Sequence, residues 1–174
     1  MNIKLRKSTL PSGSLIEKYL PADHSDVYAC AVDCENEITP DDLMVNFWTE
    51  LPGWINALFK LRDFLVKFVG LKTTESGNRK EFEESIRTGK TYNIASVPAK
   101  NANETVLLLS DKHLNAYISI HIESRKEHKT ISATTLVNFH NKLGRIYFFV
   151  IRPFHGLITK SLLKRSVKSL IIIS

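Results

Sequence analysis

Four consecutive segments between residues 91 and 140 have the composition of β-strands and are separated by short polar connectors. In the third segment, Ala116, Ile118, Ile120 and Ile122 alternate with Tyr117, Ser119, His121 and Glu123. Side chains that alternate in this way point to opposite faces of a strand. The connectors NAN, SDKH and RKEHK have the length of hairpin turns. This pattern predicts an antiparallel sheet with one buried face and one wet face.

The segments before this sheet predict one strand and two consecutive helices. The β-favouring run 27–32 is the strand. Thr39 is placed to cap the first helix and Pro40 suits its first turn. Residues 52–72 have apolar side chains at helical spacing and form the second helix. A further short helix is expected around residues 81–86.

The chain ends in a segment that predicts a long helix with Asn141 as its cap. Pro153 is expected to kink this helix, because proline lacks a backbone donor and clashes with the preceding turn. The run IYFFVI, residues 146–151, is apolar on all sides and is predicted to be buried on all sides. Beyond Pro153 only one face is apolar, so the lysines there are predicted to point outward.

The order of these elements predicts a single α+β domain over residues 1–174, with its core at about 15–168. An antiparallel sheet whose apolar face is covered by a long kinked C-terminal helix is a helix-grip arrangement. In that arrangement the curved sheet wraps the last helix and leaves a cavity beneath it.

The charges of the chain are distributed unevenly. Residues 17–50 contain nine acidic residues and one basic residue, whereas the chain from His128 to its end contains eight basic residues and no acidic one. Pairing of these two regions within the fold is expected. Such pairing argues against a free nucleic-acid-binding surface, although the formal net charge is +6.

Several classes of protein are disfavoured by the sequence. No run of about 18 uncharged apolar residues is present, so no membrane span is predicted. The N-terminus does not resemble a signal peptide. Cys30 and Cys34 lie too far apart on a strand to form a disulfide. We therefore expect a cytoplasmic protein.

Three stretches together resemble a bacterial family catalogued as domain of unknown function 2867. They are LPGWINALFKLRDFLVKFVGLK, DKHLNAYISI and LGRIYFFVIRPFH, and the likeness extends from YLPADHSDVYACAV to SLLKRS. The family looks related to the START-like group of helix-grip proteins, whose members commonly bind hydrophobic ligands and include some cyclases and hydrolases. The resemblance therefore implies a START-like domain but no established activity, and the apolar tail 170–173 lies outside its pattern.

The resemblance and the aromatic residues of the last helix predict a cavity that binds a small hydrophobic or amphipathic molecule. The residues expected to contact this ligand are Trp54, Ile118, Arg145, Phe149, Phe154 and His155. Arg145 either holds an acid group of the ligand or pairs with an early aspartate. His155 is either an acid, base or ligand donor or a histidine satisfied by a neighbour. A plain packed core is the alternative interpretation of the aromatic residues.

Two other classes of function remain open. An interaction module would use the basic row Lys160, Lys164 and Lys168, with Arg165, to meet an acidic partner, an anionic membrane surface or nucleic acid. An enzyme of unknown reaction would use the same cavity. Asp111 and His113 form either an acid–base pair or a turn shaped by the aspartate. The sequence contains no motif that assigns a catalytic residue, a metal site or a cofactor.

Overall fold

The computed structural model describes residues 3–35, 37–58, 60, 78–126 and 128–172. Its elements are β1 (Arg6–Lys7), a 3-10 helix (Leu15–Tyr19), β2 (His24–Asp33), α1 (Pro40–Thr49), α2 (Arg79–Thr88), β3 (Ala95–Lys100), β4 (Glu104–Ser110), β5 (Leu114–Arg125), β6 (His128–Phe139) and α3 (Lys142–Ile172). Residues 53–58 are also helical. The remainder of the predicted second helix, 61–72, lies outside the described residues.

The six strands form one antiparallel sheet in the order β1-β2-β6-β5-β4-β3. One face of this sheet packs against α3, with α1 alongside it. The predicted α+β, helix-grip-like architecture is confirmed. Pro153 lies inside α3 without ending it, and a bend of the axis at that point stays a prediction.

The alternation in β5 identifies the buried face correctly. Ile118, Ile120 and Ile122 lie in the main core together with Leu162 and Leu163 of α3. The helix α1 begins as expected, since the Thr39 hydroxyl accepts a hydrogen bond from the Asp42 amide at 3.1 Å. Its buried residues Leu43, Met44 and Phe47 complete this core.

The opposite face of β5 was predicted to be wet, and this prediction is wrong for part of the strand. Ser119 is fully buried and Tyr117 stacks on Tyr19, with ring centroids 4.0 Å apart. The reason is that the 3-10 helix Leu15–Tyr19, which the sequence did not predict, packs on this face.

The run IYFFVI is also not buried on all sides. Phe148 is buried, whereas Ile146, Phe149 and Val150 are exposed. The main core reaches α3 mainly through its C-terminal half, where Ser169 also lies within hydrogen-bond distance of Glu50. The N-terminal half packs on the sheet through one face only, so its outer side stays uncovered in the described part of the chain.

Two glycines bring α3 close to the sheet. A methyl group at Gly144 would collide with the backbone carbonyl oxygen of His113, and one at Gly156 would collide with the hydroxyl of Tyr28. A side chain at either position therefore requires its neighbour to move. The tyrosine hydroxyl is the end of a flexible side chain, whereas the His113 carbonyl belongs to the backbone of the turn before β5 and accepts a hydrogen bond from the His140 amide.

We expect Gly144→Ala to destabilise the fold by about 1–3 kcal/mol, because overpacking against backbone forces the helix away from the sheet. In a helix with no such contact, replacing glycine by alanine stabilises the helix by about 1 kcal/mol. Gly53→Ala is the matched control, since Gly53 is helical and no atom of the described residues lies within 4 Å of an added Cβ there. Urea unfolding of the two variants measures the difference. A Gly144→Ala variant as stable as Gly53→Ala would contradict the close contact.

Candidate functional site

The outer side of the N-terminal half of α3 is an exposed apolar surface. Its large side chains are 43–74% exposed, and they are Leu143, Ile146, Phe149, Val150, Phe154 and Leu157. Apart from the adjacent pair Phe149 and Val150, successive members are three or four residues apart, so they form one stripe along the helix. We call these six residues the outer stripe. A contiguous patch of exposed apolar side chains is a candidate surface for contact with another molecule.

The outer stripe continues into a basic surface. Lys160, Lys164 and Lys168 extend the same helical spacing beyond Leu157, with Arg165 beside them. Among the described residues, none of these four cations has an ion-pair partner. We call these four residues the basic row. The helix contains no acidic residue at all.

The acidic segment 17–50 was expected to neutralise the basic end of the chain, and for the basic row this is wrong. Asp41 pairs with Lys100 at 2.7 Å and Asp42 pairs with Arg87 at 2.7 Å. The ion-pair partners of these two aspartates are therefore basic residues outside α3. Three members of the basic row instead line an open groove of about 440 Å³ beside Glu50 and Pro52.

A second group of polar residues lies between β2 and α3. His24 and Asp26 are two residues apart on β2 and point to the same face as Tyr28. His155 meets them from α3, where it is seven residues after the buried Phe148 and seven before the buried Leu162. Residues at this spacing share one face of a helix. The close approach at Gly156 brings that face against β2.

The distances within this group are short. His24 Nε2 lies 2.8 Å from Asp26 Oδ2, and His155 Nδ1 lies 3.7 Å from the same oxygen. The ring of Phe148 lies 4.7 Å from that of His24 and 5.8 Å from that of His155. Lys7 Nζ lies 3.6 Å from the other oxygen, Asp26 Oδ1.

His155 Nδ1 is buried and has no hydrogen-bond partner among the described residues. Its 3.7 Å separation from Asp26 Oδ2 is too long for a hydrogen bond. Burial lowers the pKa of the His155 imidazole, the charge of Asp26 opposes this effect, and His24 adds to it. Burial also raises the pKa of the Tyr28 hydroxyl, with a further contribution from the charge of Asp26.

The comparison with protein families matches residues 19–162 to the model described as protein of unknown function (DUF2867). The chain belongs to the DUF2867 family. No curated protein and no solved structure matches it. The region matched to DUF2867 contains the outer stripe and the group His24, Asp26 and His155, and it includes only Lys160 of the basic row. Within the described residues, no helix of this DUF2867 domain is both long and apolar enough to cross a membrane.

The six residues predicted to contact a ligand lie in different surroundings. Ile118 is in the main core, whereas Trp54, Phe149 and Phe154 are exposed. The last two belong to the outer stripe, and His155 belongs to the group beside β2. The structure therefore does not bring the six together, and their role in ligand binding stays a prediction.

Arg145 lies on an open groove at the start of α3. The groove has a volume of about 480 Å³ and is lined by Phe139, His140, Asn141, Lys142 and Arg145. The Arg145 guanidinium carbon is 5.8 Å from the centre of the Phe139 ring, and one guanidinium nitrogen is 3.8 Å from Asp23. The arginine is largely exposed, so its pairing with this early aspartate is a weak surface contact.

Asp111 shapes the turn between β4 and β5, which is the structural alternative to an acid–base pair with His113. Its Oδ1 accepts hydrogen bonds from the backbone amides of His113 at 2.6 Å and Leu114 at 3.0 Å. Asn141 caps α3 by accepting from the Gly144 amide at 3.0 Å, and its Oδ1 lies 3.2 Å from His113 Nδ1. These contacts assign the turn a structural role.

Sequence reasoning missed His24 and Asp26 because the predicted strand began at residue 27. The strand in fact begins at His24. If the predicted strand had been extended from residue 27 back to residue 24, its alternating pattern would have placed the side chains of His24 and Asp26 on the buried face. Their proximity to His155 has no local signal, since the two segments lie near opposite ends of the chain.

Proposed function

We propose that this DUF2867 domain binds the surface of anionic lipid bilayers through the outer stripe and the basic row of α3. The observation that carries this proposal is the continuity between an exposed apolar stripe and cations that lack ion-pair partners among the described residues. Helices that lie in a membrane interface combine these two features. The helix rests on the surface and does not cross it.

The two parts of the surface contribute in different ways. Burying a large apolar side chain stabilises the bound state by about 1.5–3 kcal/mol. Each lysine or arginine near an anionic bilayer contributes about 1 kcal/mol. The second contribution is screened by salt, so binding depends on both the lipid charge and the ionic strength.

The test is flotation of the full chain with vesicles of phosphatidylcholine alone or mixed with phosphatidylglycerol. We expect binding to the anionic vesicles only, and a steep loss of binding as salt is added. The double variant Ile146→Ser, Phe149→Ser removes two exposed side chains of the stripe. Its binding should fall by at least about tenfold, because each tenfold step corresponds to about 1.4 kcal/mol.

Leu20→Ser is the matched control, since Leu20 is an exposed leucine outside α3. It should bind anionic vesicles as the unaltered chain does.

The double variant Lys164→Gln, Lys168→Gln should bind anionic vesicles more weakly, and its binding should depend less on salt. Absence of binding to anionic vesicles, or equal binding by the stripe double variant, would overturn the proposal. Salt-sensitive retention on heparin without vesicle binding would favour an acidic macromolecule.

A second candidate function is the binding of a small hydrophobic molecule that carries an acid group. This is the activity that the START-like resemblance implies, with a cavity between sheet and helix as its site. The observation that favours it is the groove in which the cations Lys142 and Arg145 lie beside the ring of Phe139. A planar guanidinium suits a carboxylate, and the ring offers an apolar surface.

Native mass spectrometry of the purified chain tests this second candidate by showing whether a small molecule is retained. Palmitate is a suitable probe for a calorimetric titration. Arg145→Ala should weaken palmitate binding, whereas Arg152→Ala should not, because Arg152 is an exposed arginine of α3 outside the groove. Equal affinities for the two variants would exclude the groove as the site.

A further inference from the structure

Three side chains of types that can ligate a metal ion lie close together between β2 and the middle of α3. The atoms His24 Nε2, Asp26 Oδ2 and His155 Nδ1 all lie within 4.8 Å of one another. Two elements of the core hold them, because β2 pairs with β6 along its whole length and α3 packs on the same sheet. The outer stripe takes no part in this arrangement.

The spacing of the three atoms suits a first-row transition-metal ion. Bonds of about 2.0 Å in a tetrahedral arrangement place two donor atoms about 3.3 Å apart. The observed distances to Asp26 Oδ2 are 2.8 Å from His24 and 3.7 Å from His155. The two imidazole nitrogens lie within 4.8 Å of each other, so side-chain rotations that move the donor atoms by up to about 1.5 Å would bring all three to bonding distance.

The unpartnered nitrogen of His155 is the second observation. Leaving a buried polar atom without a hydrogen bond destabilises the fold, yet His155 Nδ1 has no such bond to any described residue. This nitrogen lies 3.7 Å from Asp26 Oδ2, and the His155 ring meets the His24 ring edge-on with centroids 5.9 Å apart. A metal ion at the centre of the group would satisfy this nitrogen together with them.

We propose that His24, Asp26 and His155 form a binding site for a divalent transition-metal ion such as Zn²⁺. Two imidazoles and one carboxylate are a common ligand set for zinc and for non-haem iron. Three protein donors leave at least one position for water. Lys7 contacts the other carboxylate oxygen, Asp26 Oδ1, and leaves Oδ2 for the ion.

The site has an apolar side and an accessible side. Phe148 packs against both histidine rings and itself packs with Leu114 and Val137. The side chains of the three ligands nevertheless keep 13–19% of their surface exposed. An ion can therefore enter from solvent without unfolding of the helix.

The test is calorimetric titration of the metal-free full chain with Zn²⁺ at neutral pH. We expect one ion per chain and a rise in the melting temperature when the ion is added, since a ligand that binds only the folded state stabilises it. Mg²⁺ should give neither effect, because it prefers oxygen ligands in an octahedral arrangement. Co²⁺ should produce visible absorption bands that report nitrogen coordination.

His155→Ala and Asp26→Asn should each weaken Zn²⁺ binding by about 100-fold or more, since even loss of an outer partner costs 10–100-fold. His128→Ala is the matched control, because His128 forms a comparable pair with Asp33 away from this group. His155→Gln replaces His155→Ala if the latter fails to melt cooperatively without metal. The proposal is overturned if no stoichiometric Zn²⁺ binds, or if the His155 and Asp26 variants bind it as the His128 variant does.

Discussion

Deletion of residues 143–166 is expected to abolish cooperative folding of the domain. This segment supplies Leu162 and Leu163, which are buried in the main core with the sheet and α1, and Phe148, which is buried against the sheet. Each buried side chain of this kind contributes about 1.5–3 kcal/mol, and the total stability of a domain is about 5–15 kcal/mol. The deletion would also expose the apolar face of the sheet, so the product should be insoluble or aggregated.

Expression of the shortened chain, followed by size-exclusion chromatography and thermal melting, measures this effect. Substitution of the exposed Phe149 and Phe154 by serine is the control, because it alters the same helix without touching its buried face. That double variant should stay monomeric and melt cooperatively. If the shortened chain did the same, α3 would be an appendage of an independently stable sheet.

The sequence was a good guide to the elements whose patterns are local. The alternation around Ile118 identified the core face of β5, and Thr39 with Pro40 located the start of α1. These signals are informative because the period of a pattern reports which face of an element is buried. The order of the elements then limited the fold to a sheet covered by a terminal helix.

The same patterns could not show which surfaces distant segments cover. Ser119 follows the pattern of a wet face, but the segment around Leu15 buries it. Phe149 lies in a run that is apolar all round, but no described segment covers its side of α3. Both errors have one physical cause, since burial depends on tertiary neighbours that local periodicity does not contain.

The candidate sites were only partly visible for a related reason. The basic row was evident from composition, whereas its lack of ion-pair partners among the described residues depends on where each aspartate points. His155 was singled out because it follows Pro153. Its partners His24 and Asp26 meet it only after β2 and α3 have packed together.

The largest effect expected from a single substitution is at Glu104, whose side chain is 1% exposed. Its carboxylate accepts hydrogen bonds from the Ser14 hydroxyl at 2.7 Å, from the Leu15 amide at 2.6 Å and from the Ser119 hydroxyl. These bonds fasten the start of the 3-10 helix to the outer face of the sheet. The buried Glu104 carboxylate forms no ion pair with a described residue. These three hydrogen-bond donors are therefore what compensates the cost of burying it.

We expect Glu104→Ala to lower the free energy of unfolding by about 3 kcal/mol or more, because each buried donor left without an acceptor costs about 1–3 kcal/mol. Glu104→Gln keeps one acceptor oxygen and should cost less. Glu123→Ala is the matched control, since Glu123 is an exposed glutamate of β5 whose pair with Arg125 is worth at most about 1 kcal/mol. Urea unfolding measures all three variants. Equal losses for Glu104→Ala and Glu123→Ala would show that Glu104 does not hold the N-terminal segment on the sheet.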